Sequence, residues 1–347
     1  MSRAVGWTLL CILLIVLAVV PFIGIPLPPI FGEPLRSPGT MTLLAGCFVF
    51  GALALSYDVI FGYTGLLSFG HALYFATGVY GTAIAMQRWH WGVGAAILFV
   101  IAFSVVLPAI VGAIALRTHD IAFAMVTLAF AQAGSIVVLQ NPWNLTGGEE
   151  GLALSSNVLP AAFAGVVNTR NLYWLALALL VVTYLIAWWL VNSRPGRVWQ
   201  AIRENERRAS TIGLNPYLFK LGSFVCSAVL ASLAGIVYLF LEGGATPEVT
   251  TANFTLALLV MVVLGGVGTL WGAVLGGIVY EYLDFRLVVL SNASGLSSLP
   301  PVLRIPLSQP LFILGVLFII LVLFVPGGLA GAVRRVLSLR TSRGRST

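Results

Sequence analysis

Charged side chains are too few in this sequence to cover the surface of a water-soluble protein. Asp, Glu, Lys and Arg make up 8% of the 347 residues, whereas hydrophobic residues make up 59% and the mean hydropathy is +1.03. Soluble domains carry about 25% charged residues. A lipid bilayer tolerates an apolar surface but requires every backbone polar group to be paired, which leaves helices and closed barrels. Long apolar runs without period-two alternation favour helices. We therefore expect an all-α, polytopic transmembrane helical bundle.

Apolar stretches of the length needed to cross a bilayer, about 20 residues, occur along the whole sequence. The stretch 253–290 is too long for one span, and Gly265, Gly266 and Gly268 interrupt it, so we expect two shorter pieces. This gives about ten crossings, and eight or nine full spans plus a re-entrant piece is the alternative. We interpret the first stretch as a retained span rather than a signal peptide, because prolines follow it in place of a cleavage site. The predicted spans are 7–25, 42–61, 65–86, 92–116, 121–140, 172–191, 219–241, 253–266, 269–288 and 307–325.

The positions of the basic residues predict which side of the membrane each loop faces. With Arg3 inside and ten crossings, thirteen of the 18 Lys and Arg residues fall in inside segments and the other five in outside segments. Basic loops mark the cytoplasmic side, so both termini and the loop 192–218 are expected there. We predict one transmembrane domain over 1–333 and a basic cytoplasmic tail over 334–347, in the inner (plasma) membrane. The net charge of +7 then reflects membrane orientation and contact with lipid, and no nucleic-acid partner is expected.

A first group of small and polar residues interrupts the apolar region at 62–71, with the sequence Gly-Tyr-Thr-Gly-Leu-Leu-Ser-Phe-Gly-His. Transporters use glycine-broken helices to present backbone groups to substrate, and glycines also allow helices to pack closely. Both interpretations remain open. Asp58 and His71 are costly at membrane depth and should face protein or water, unless Asp58 lies at the cytoplasmic interface. A hydrogen-bonded packing role for His71 is favoured over a proton relay.

A second glycine-rich group lies at 265–272, with the sequence Gly-Gly-Val-Gly-Thr-Leu-Trp-Gly. It is not a dinucleotide-binding fingerprint, because no alternation of strands and helices surrounds it. A glycine-broken span in each half is typical of transporters built from inverted repeats, although the similarity between the two segments is faint. An inverted repeat is therefore a possible architecture.

The inside loop 192–218 has the composition of a helix. Ser193 is a suitable N-cap with a proline tolerated in the first turn, and Gly213 and Pro216 are suitable for ending the helix. Ile202, Ala209 and Ile212 would give a charged helix a narrow apolar edge. Such a helix could dock on another protein or bind anionic lipid, and its acidic residues favour protein docking.

Sequence features of energy conversion and catalysis are missing from the chain. It contains no GxxxxGK[ST] motif, so it does not bind ATP through a P-loop. We find no series of acidic residues at mid-membrane depth, as ion-coupled carriers often have, and no catalytic constellation. The three cysteines lie in apolar runs without a CxxC pair, so no metal or redox site is expected. We therefore expect a transport protein rather than an enzyme, with its energy supplied by a partner.

These segments together resemble the permease subunits of branched-chain amino acid ABC importers of the LivM type. The resemblance covers nearly the whole chain, and the shared order of its blocks makes it specific. Asp58 stands where many members have Asn, and His119-Asp120 stands where relatives often have Arg-Gly. The matching blocks are 62–65, 68–72, 123–130, 146–148 with Gly151, 193–194, 196–197, 201–204, Ala209, 213–215, 262–266, 268–272 and 326–329.

The resemblance implies partners and a mechanism. A LivH-like second permease subunit would pair with this chain, two ATP-binding subunits would dock on the inside, and a periplasmic solute-binding protein would deliver substrate. ATP would be bound by the partner subunits, with no cofactor in this chain. The inside helix, over 199–213, would transmit motion from the ATPases to the spans in an alternating-access cycle. The expected coupling residues are Arg203, Glu204, Ala209 and Gly213, and the expected pathway-lining residues are Ser68, His71, Thr127 and Gln132.

The substrate stays open at this point. Branched-chain or related amino acids are favoured, and urea and short amides are the alternatives within the same kind of importer. A self-contained channel for a small polar solute is the main rival, since it would also use glycine-broken spans but would need no docking helix.

Overall fold

The computed structural model describes residues 17–22, 34, 36–155, 158, 168–291, 309–325, 327–333 and 335. The predicted span 7–25 lies mostly outside the described residues, as does the tail 334–347 apart from residue 335. Within the described part, the α-helices are α1 Pro38–Asp58, α2 His71–Gln87, α3 Val93–Ala115, α4 Asp120–Gln140, α5 Thr169–Asn192, α6 Arg194–Thr211, α7 Pro216–Glu242, α8 Ala252–Gly265, α9 Leu270–Ser291 and α10 Pro310–Phe324. The strands β1 Leu152–Ala153 and β2 Gly244–Ala245 pair antiparallel.

The helices confirm an all-α membrane bundle. Five of them are long and apolar enough to cross a bilayer by length and composition: α1 with the turn that follows it, α3, α4, α5 and α7. The stretch 253–290 forms two pieces, α8 and α9, as expected. The prediction of a span beginning at residue 65 is wrong, because α1 continues as a π-helical turn over Val59–Tyr63 and α2 starts only at His71. Gly65 between them has φ +80°, which cannot continue a right-handed helix.

Contacts between loops define two ends of the bundle. One end, called here the α6 end, holds α6 and the segments 59–70 and 266–269, which Arg203 of α6 joins through contacts with Gly62 and Gly268. The opposite end holds the β1–β2 pair, which joins the segment after α4 to the segment after α7. The C-terminus of α2 also lies at that opposite end, where Gln87 Oε1 accepts a hydrogen bond from Ser155 Oγ at 2.7 Å. The loops therefore alternate between the two ends as consecutive crossings require.

Two four-helix units follow the same order. In each, a long helix, an irregular segment and a short helix precede two further helices: α1 to α4 in the first unit and α7 to α10 in the second. The packing is reciprocal, since α1 packs on α9 and α8, and α7 packs on α3 and α2. Five crossings separate the start of α1 from the start of α7, so the two units run in opposite directions. This arrangement pairs the segment 59–70 with 243–251, and not with the glycines of 265–272, which explains why the similarity between the two glycine-rich segments is faint.

Candidate functional site

The first glycine-broken segment is held in place by side chains that satisfy its backbone. The Tyr57 hydroxyl donates to Ser68 O at 3.0 Å, and Phe69 N donates to Thr127 Oγ1 at 3.1 Å. Gly70 N donates to Ser68 Oγ at 3.2 Å. Both Ser68 and Thr127 are buried. An irregular backbone within a membrane protein is stable only where such partners replace the lost helical hydrogen bonds.

His71 starts α2 and is completely enclosed by protein. Its Nε2 lies 2.9 Å from Ser56 Oγ, while that hydroxyl donates to Leu53 O at 2.7 Å. Because the single hydroxyl proton is used in this way, the imidazole Nε2 must carry the hydrogen and donate it. The rings of Tyr57 and Tyr74 pack edge-on against the imidazole. His71 is thus a hydrogen-bonded packing residue in this conformation.

The structure brings together three of the four residues expected to line a pathway. Ser68, His71 and Thr127 lie around the segment 64–70, whereas Gln132 is exposed on the surface of α4. Thr127 and Gln132 are five residues apart, and at about 100° per residue the two side chains leave the helix on faces about 140° apart. Gln132 is therefore on a different face of α4 from the segment 64–70.

The helix α6 lies against the α6 end of the bundle and is anchored by its own chain. The Ser193 side chain caps it by accepting from Gly196 N at 3.4 Å, and the Trp199 indole donates to Phe219 O at 2.8 Å. Lys220 Nζ and Glu206 Oε1 form an ion pair at 2.6 Å. These contacts fix α6 against the start of α7 at the α6 end of the bundle.

The observed α6 corrects the expected bounds of the inside helix. It runs from Arg194 to Thr211 rather than from 199 to 213, and Asn205 interrupts it with φ −162° and ψ 102°. Since these dihedrals are extended, the helix has a break near its middle. The expected apolar edge for an external partner is also corrected, because Ile202 and Ala209 are buried against their own chain while Ile212 remains 75% exposed.

The four residues expected to act in coupling have different environments. Glu204 and Gly213 are exposed, with no atom within 4 Å of a Cβ placed on Gly213 and a φ of +86° at that residue. Ala209 is buried at 3% exposure. Arg203 begins at the surface, but its guanidinium Nη1 reaches inward and donates to Gly62 O. The outward-facing pair Glu204 and Gly213 is therefore available to a partner, and Arg203 contacts the membrane spans.

The two glycine-rich segments touch at the point that Arg203 reaches. Asp58 Oδ1 accepts a hydrogen bond from Gly268 N at 2.7 Å, and a Cβ placed on Gly62 would lie 2.5 Å from the same nitrogen. A Cβ placed on Gly268 would lie 2.7 Å from Arg203 Nη1 and 3.1 Å from Gly62 O. We call Asp58, Gly62, Arg203 and Gly268 the glycine junction. Only glycine, which has no Cβ, allows the backbone at Gly62 and the backbone at Gly268 to approach this closely.

A cavity of about 510 Å³ opens next to the glycine junction at the α6 end. Residues of 64–69, the start of α4 at 118–125 and residues 202–206 of α6 line it, together with Lys220. Its walls include charged groups of both signs. Such a cavity is large enough for a small zwitterion, and it lies between the first broken segment and α6.

Sequence reasoning missed the partners that hold these segments. Asp58 was recognisable as a costly charge, but its contact with Gly268 spans 210 residues. Likewise Thr255 Oγ1 accepts from Ala72 N at 3.0 Å across 183 residues. No local spacing could reveal either pairing, and the only available signal was the presence of polar side chains in apolar helices.

A model of the family described as "Branched-chain amino acid transport system / permease component" matches residues 39–325. The chain belongs to this family. It is 28% identical over 269 residues to the high-affinity branched-chain amino acid transport system permease protein LivM of Escherichia coli K12, covering 70% of this chain and 62% of that protein. It is 25% identical to LivM of Salmonella typhimurium LT2, covering 88% and 73%. It is 27% identical to LivH of E. coli K12, covering 66% and 79%.

Family membership agrees with the apolar helices. The chain is a member of a family of transport permease components, and five of its described helices are long and apolar enough to cross a membrane. The similarity spans less than two thirds of the length of the E. coli LivM protein. Relatives of both the LivM and the LivH kind are similar in sequence to this one chain.

Proposed function

We propose that the chain is the translocation subunit of an ATP-driven importer for branched-chain amino acids. The observation that supports this most is the placement of α6: Glu204 in the helix and Gly213 just after its end are exposed, while Arg203 of the same helix reaches the glycine junction. One helix thus presents a free outer face at the end where the broken segments meet.

The orientation and the partners follow from this placement and from the charge distribution. The basic helix α6 would lie on the cytoplasmic side, with both termini on that side and the β1–β2 pair outside. Two ATP-binding subunits would dock on α6 and bind the ATP, and a solute-binding protein would dock at the opposite end. A LivH-like permease would be the second membrane subunit, supported by the similarity of this chain to relatives of both kinds.

The mechanism is alternating access. Closure of the ATP-binding subunits would push on the exposed face of α6, and the anchored helix would pass that movement to the segments 59–70 and 266–269. The pathway then opens toward the solute-binding protein, receives the amino acid and returns after hydrolysis. The cavity at the α6 end would receive the amino acid on its way to the cytoplasm, because its charges of both signs suit a zwitterion.

Transport in proteoliposomes tests the proposal. The chain is reconstituted with its second permease, its ATP-binding subunits and its solute-binding protein, and uptake of labelled leucine is followed with ATP or with a non-hydrolysable analogue inside. Uptake only with ATP supports the importer. Uptake without ATP would show a channel, and uptake of urea or acetamide in preference to leucine would show the other substrate class.

Two surface variants test the role of α6. Glu204→Gln should reduce leucine uptake while leaving the spans folded, since Glu204 is exposed. Gly213→Val should also reduce uptake because a β-branched residue is strained at φ +86°, and Gly213→Asn is the matched control because Asn tolerates this conformation. Wild-type uptake by both Glu204→Gln and Gly213→Val would contradict a coupling role for this face.

A further inference from the structure

The glycine junction is closed by one charge of each sign, contributed by different parts of the chain. Asp58, at the end of α1, binds the backbone of the second glycine-rich segment through Gly268 N at 2.7 Å. Arg203, on α6, binds the backbone of the first through Gly62 O. Asp58 therefore holds the second glycine-rich segment, and Arg203 holds the first. Removal of either side chain would release one of the two segments.

The side chain of Arg203 is fitted to this position along its length. A Cβ placed on Gly65 would lie 3.0 Å from Arg203 Cγ, so the aliphatic part of the arginine packs on that glycine. The guanidinium then lies 2.7 Å from the position of a Cβ on Gly268. Larger residues at either glycine would occupy the path of the side chain. Three glycines thus line the route from α6 into the bundle.

Asp58 and Arg203 are the two charged residues of the glycine junction. The carboxylate is completely buried, and Oδ2 has no hydrogen-bond partner among the described residues. A buried charge without a compensating partner is strongly destabilising, and Arg203 brings the positive charge of the glycine junction to Gly62 O, four residues along the chain from Asp58. Withdrawing the guanidinium would therefore break its hydrogen bond to Gly62 O and remove the positive charge from the junction that holds Asp58.

The break in α6 lies directly beside this contact. Asn205 has non-helical dihedrals two residues after Arg203, and Glu204 between them is exposed. The break allows the two halves of α6 to change their angle relative to each other, with the first half anchored at the start of α7 through Trp199 and Phe219 O and the second through the Lys220–Glu206 ion pair.

We propose that Arg203 is a positioning residue that, with Asp58, latches the two glycine-rich segments together and releases both when the first half of α6 moves. The inference rests on the proposed function, since it assigns an internal transmission role to one of the residues expected in coupling. Arg203 then acts toward the membrane spans, and Glu204 beside it acts toward the ATP-binding subunit. The two neighbours have separable roles.

The test uses the complete complex in proteoliposomes and measures three quantities for each variant: co-purification of the ATP-binding subunits, ATP hydrolysis and leucine uptake. Arg203→Met keeps the aliphatic stem but removes the charge and the donors. We expect the complex to assemble and hydrolyse ATP while uptake per ATP falls about ten-fold, the effect of losing one charged hydrogen bond. Arg203→Lys should recover part of the uptake, and Arg207→Met, an exposed arginine of the same helix, should behave as wild type.

Two further variants separate the latch from a docking contact. Asp58→Asn keeps an oxygen for Gly268 N but removes the charge, so combined with Arg203→Met it should be no worse than Arg203→Met alone, because both act at one junction. Gly268→Ala displaces the guanidinium without changing α6 and should uncouple in the same way. Its φ of +76° adds strain, so its melting temperature is measured in parallel.

The outcomes that overturn the latch are specific. Wild-type uptake per ATP in Arg203→Met, or loss of the ATP-binding subunits on purification, would show that Arg203 has no role or is a docking contact. Effects of Asp58→Asn and Arg203→Met that simply multiply would show that they act independently. Each of these results leaves ATP-dependent uptake by the wild type intact, whereas absence of that uptake would refute the proposed function itself.

Discussion

A close backbone approach between α2 and α7 predicts how glycine substitutions at this contact change the stability of the protein. A Cβ placed on Gly78 of α2 would lie 2.1 Å from Ser232 O, and one placed on Gly235 of α7 would lie 2.2 Å from Phe75 O. Ordinary van der Waals contact starts at about 3.4 Å. In Gly235→Ala the two helices would therefore have to move apart by about 1.2 Å, and the obstacle is a backbone carbonyl that cannot rotate away.

The change in the free energy of unfolding in Gly235→Ala is the sum of two opposing contributions, overpacking and helix propensity. Overpacking of a well-packed core costs about 1–3 kcal/mol, while replacing glycine by alanine inside a helix gains up to about 1 kcal/mol. Gly222 of the same helix α7 supplies the matched control, because it is exposed and nothing lies within 4 Å of a Cβ placed there. Gly222→Ala receives the same helix-propensity gain without the clash. The difference between the two variants is therefore the packing cost alone.

Thermal unfolding of the purified chain in detergent measures this difference. We expect Gly235→Ala to melt below Gly222→Ala by several degrees, because each kcal/mol shifts the melting temperature of a large chain by about 2–4 °C. Gly78→Ala should behave like Gly235→Ala, and the double variant should cost less than the two singles together, since both open the same helix contact. Equal melting temperatures for Gly235→Ala and Gly222→Ala would refute the close packing of α2 on α7.

Three further substitutions test individual hydrogen bonds. Ser56→Ala removes the acceptor 2.9 Å from His71 Nε2 and should lower the free energy of unfolding by about 1–3 kcal/mol, the cost of an unsatisfied buried donor; an unchanged melting temperature would contradict it. Thr255→Val removes the acceptor for Ala72 N and should cost about 0.5–2 kcal/mol, with Thr255→Ser restoring stability if the hydroxyl is responsible. Asn141→Ala removes the Oδ1 that accepts from two backbone N–H groups of the loop 146–147 and should weaken stimulation of ATP hydrolysis by the solute-binding protein, whereas Asn141→Asp keeps the acceptor and should preserve it.

The spans could be predicted because hydropathy acts locally. The division of 253–290 into two helices followed from its length and its glycines, and the structure places α8 and α9 there. The end of α1 could not be placed in the same way. Residues 65–70 are apolar enough to read as helix, but Gly65 takes φ +80° and distant side chains satisfy the segment. Local composition does not contain that information.

The candidate site was predicted in part for a similar reason. Ser68 and His71 are three residues apart in sequence, so their proximity was expected. The pairing of Asp58 with Gly268 depends on how two halves of the chain pack, and it spans 210 residues. The helical period alone could have shown that Thr127 and Gln132 face different directions.

The buried hydroxyls of this protein bear on which residues can touch the substrate. Ser68 Oγ accepts from Gly70 N, and Thr127 Oγ1 accepts from Phe69 N while donating to Ala124 O at 2.8 Å. These groups replace helical hydrogen bonds that the irregular segment lacks, and water cannot do so inside a membrane. In this conformation Thr127 Oγ1 both donates to and accepts from the backbone, and Ser68 Oγ accepts from it.

Substitution of Thr127 decides between support of the segment and contact with substrate. Thr127→Val keeps the shape but removes the hydroxyl, leaving the buried N–H of Phe69 unsatisfied at a cost of about 1–3 kcal/mol. If the hydroxyl supports the segment, the variant melts at a lower temperature, its KM for leucine stays constant, and Thr127→Ser restores the melting temperature. If the hydroxyl binds the amino acid, Thr127→Val raises the KM and leaves the melting temperature unchanged. The geometry predicts the first result, because one hydroxyl that already donates to Ala124 O and accepts from Phe69 N has little capacity left for a third partner.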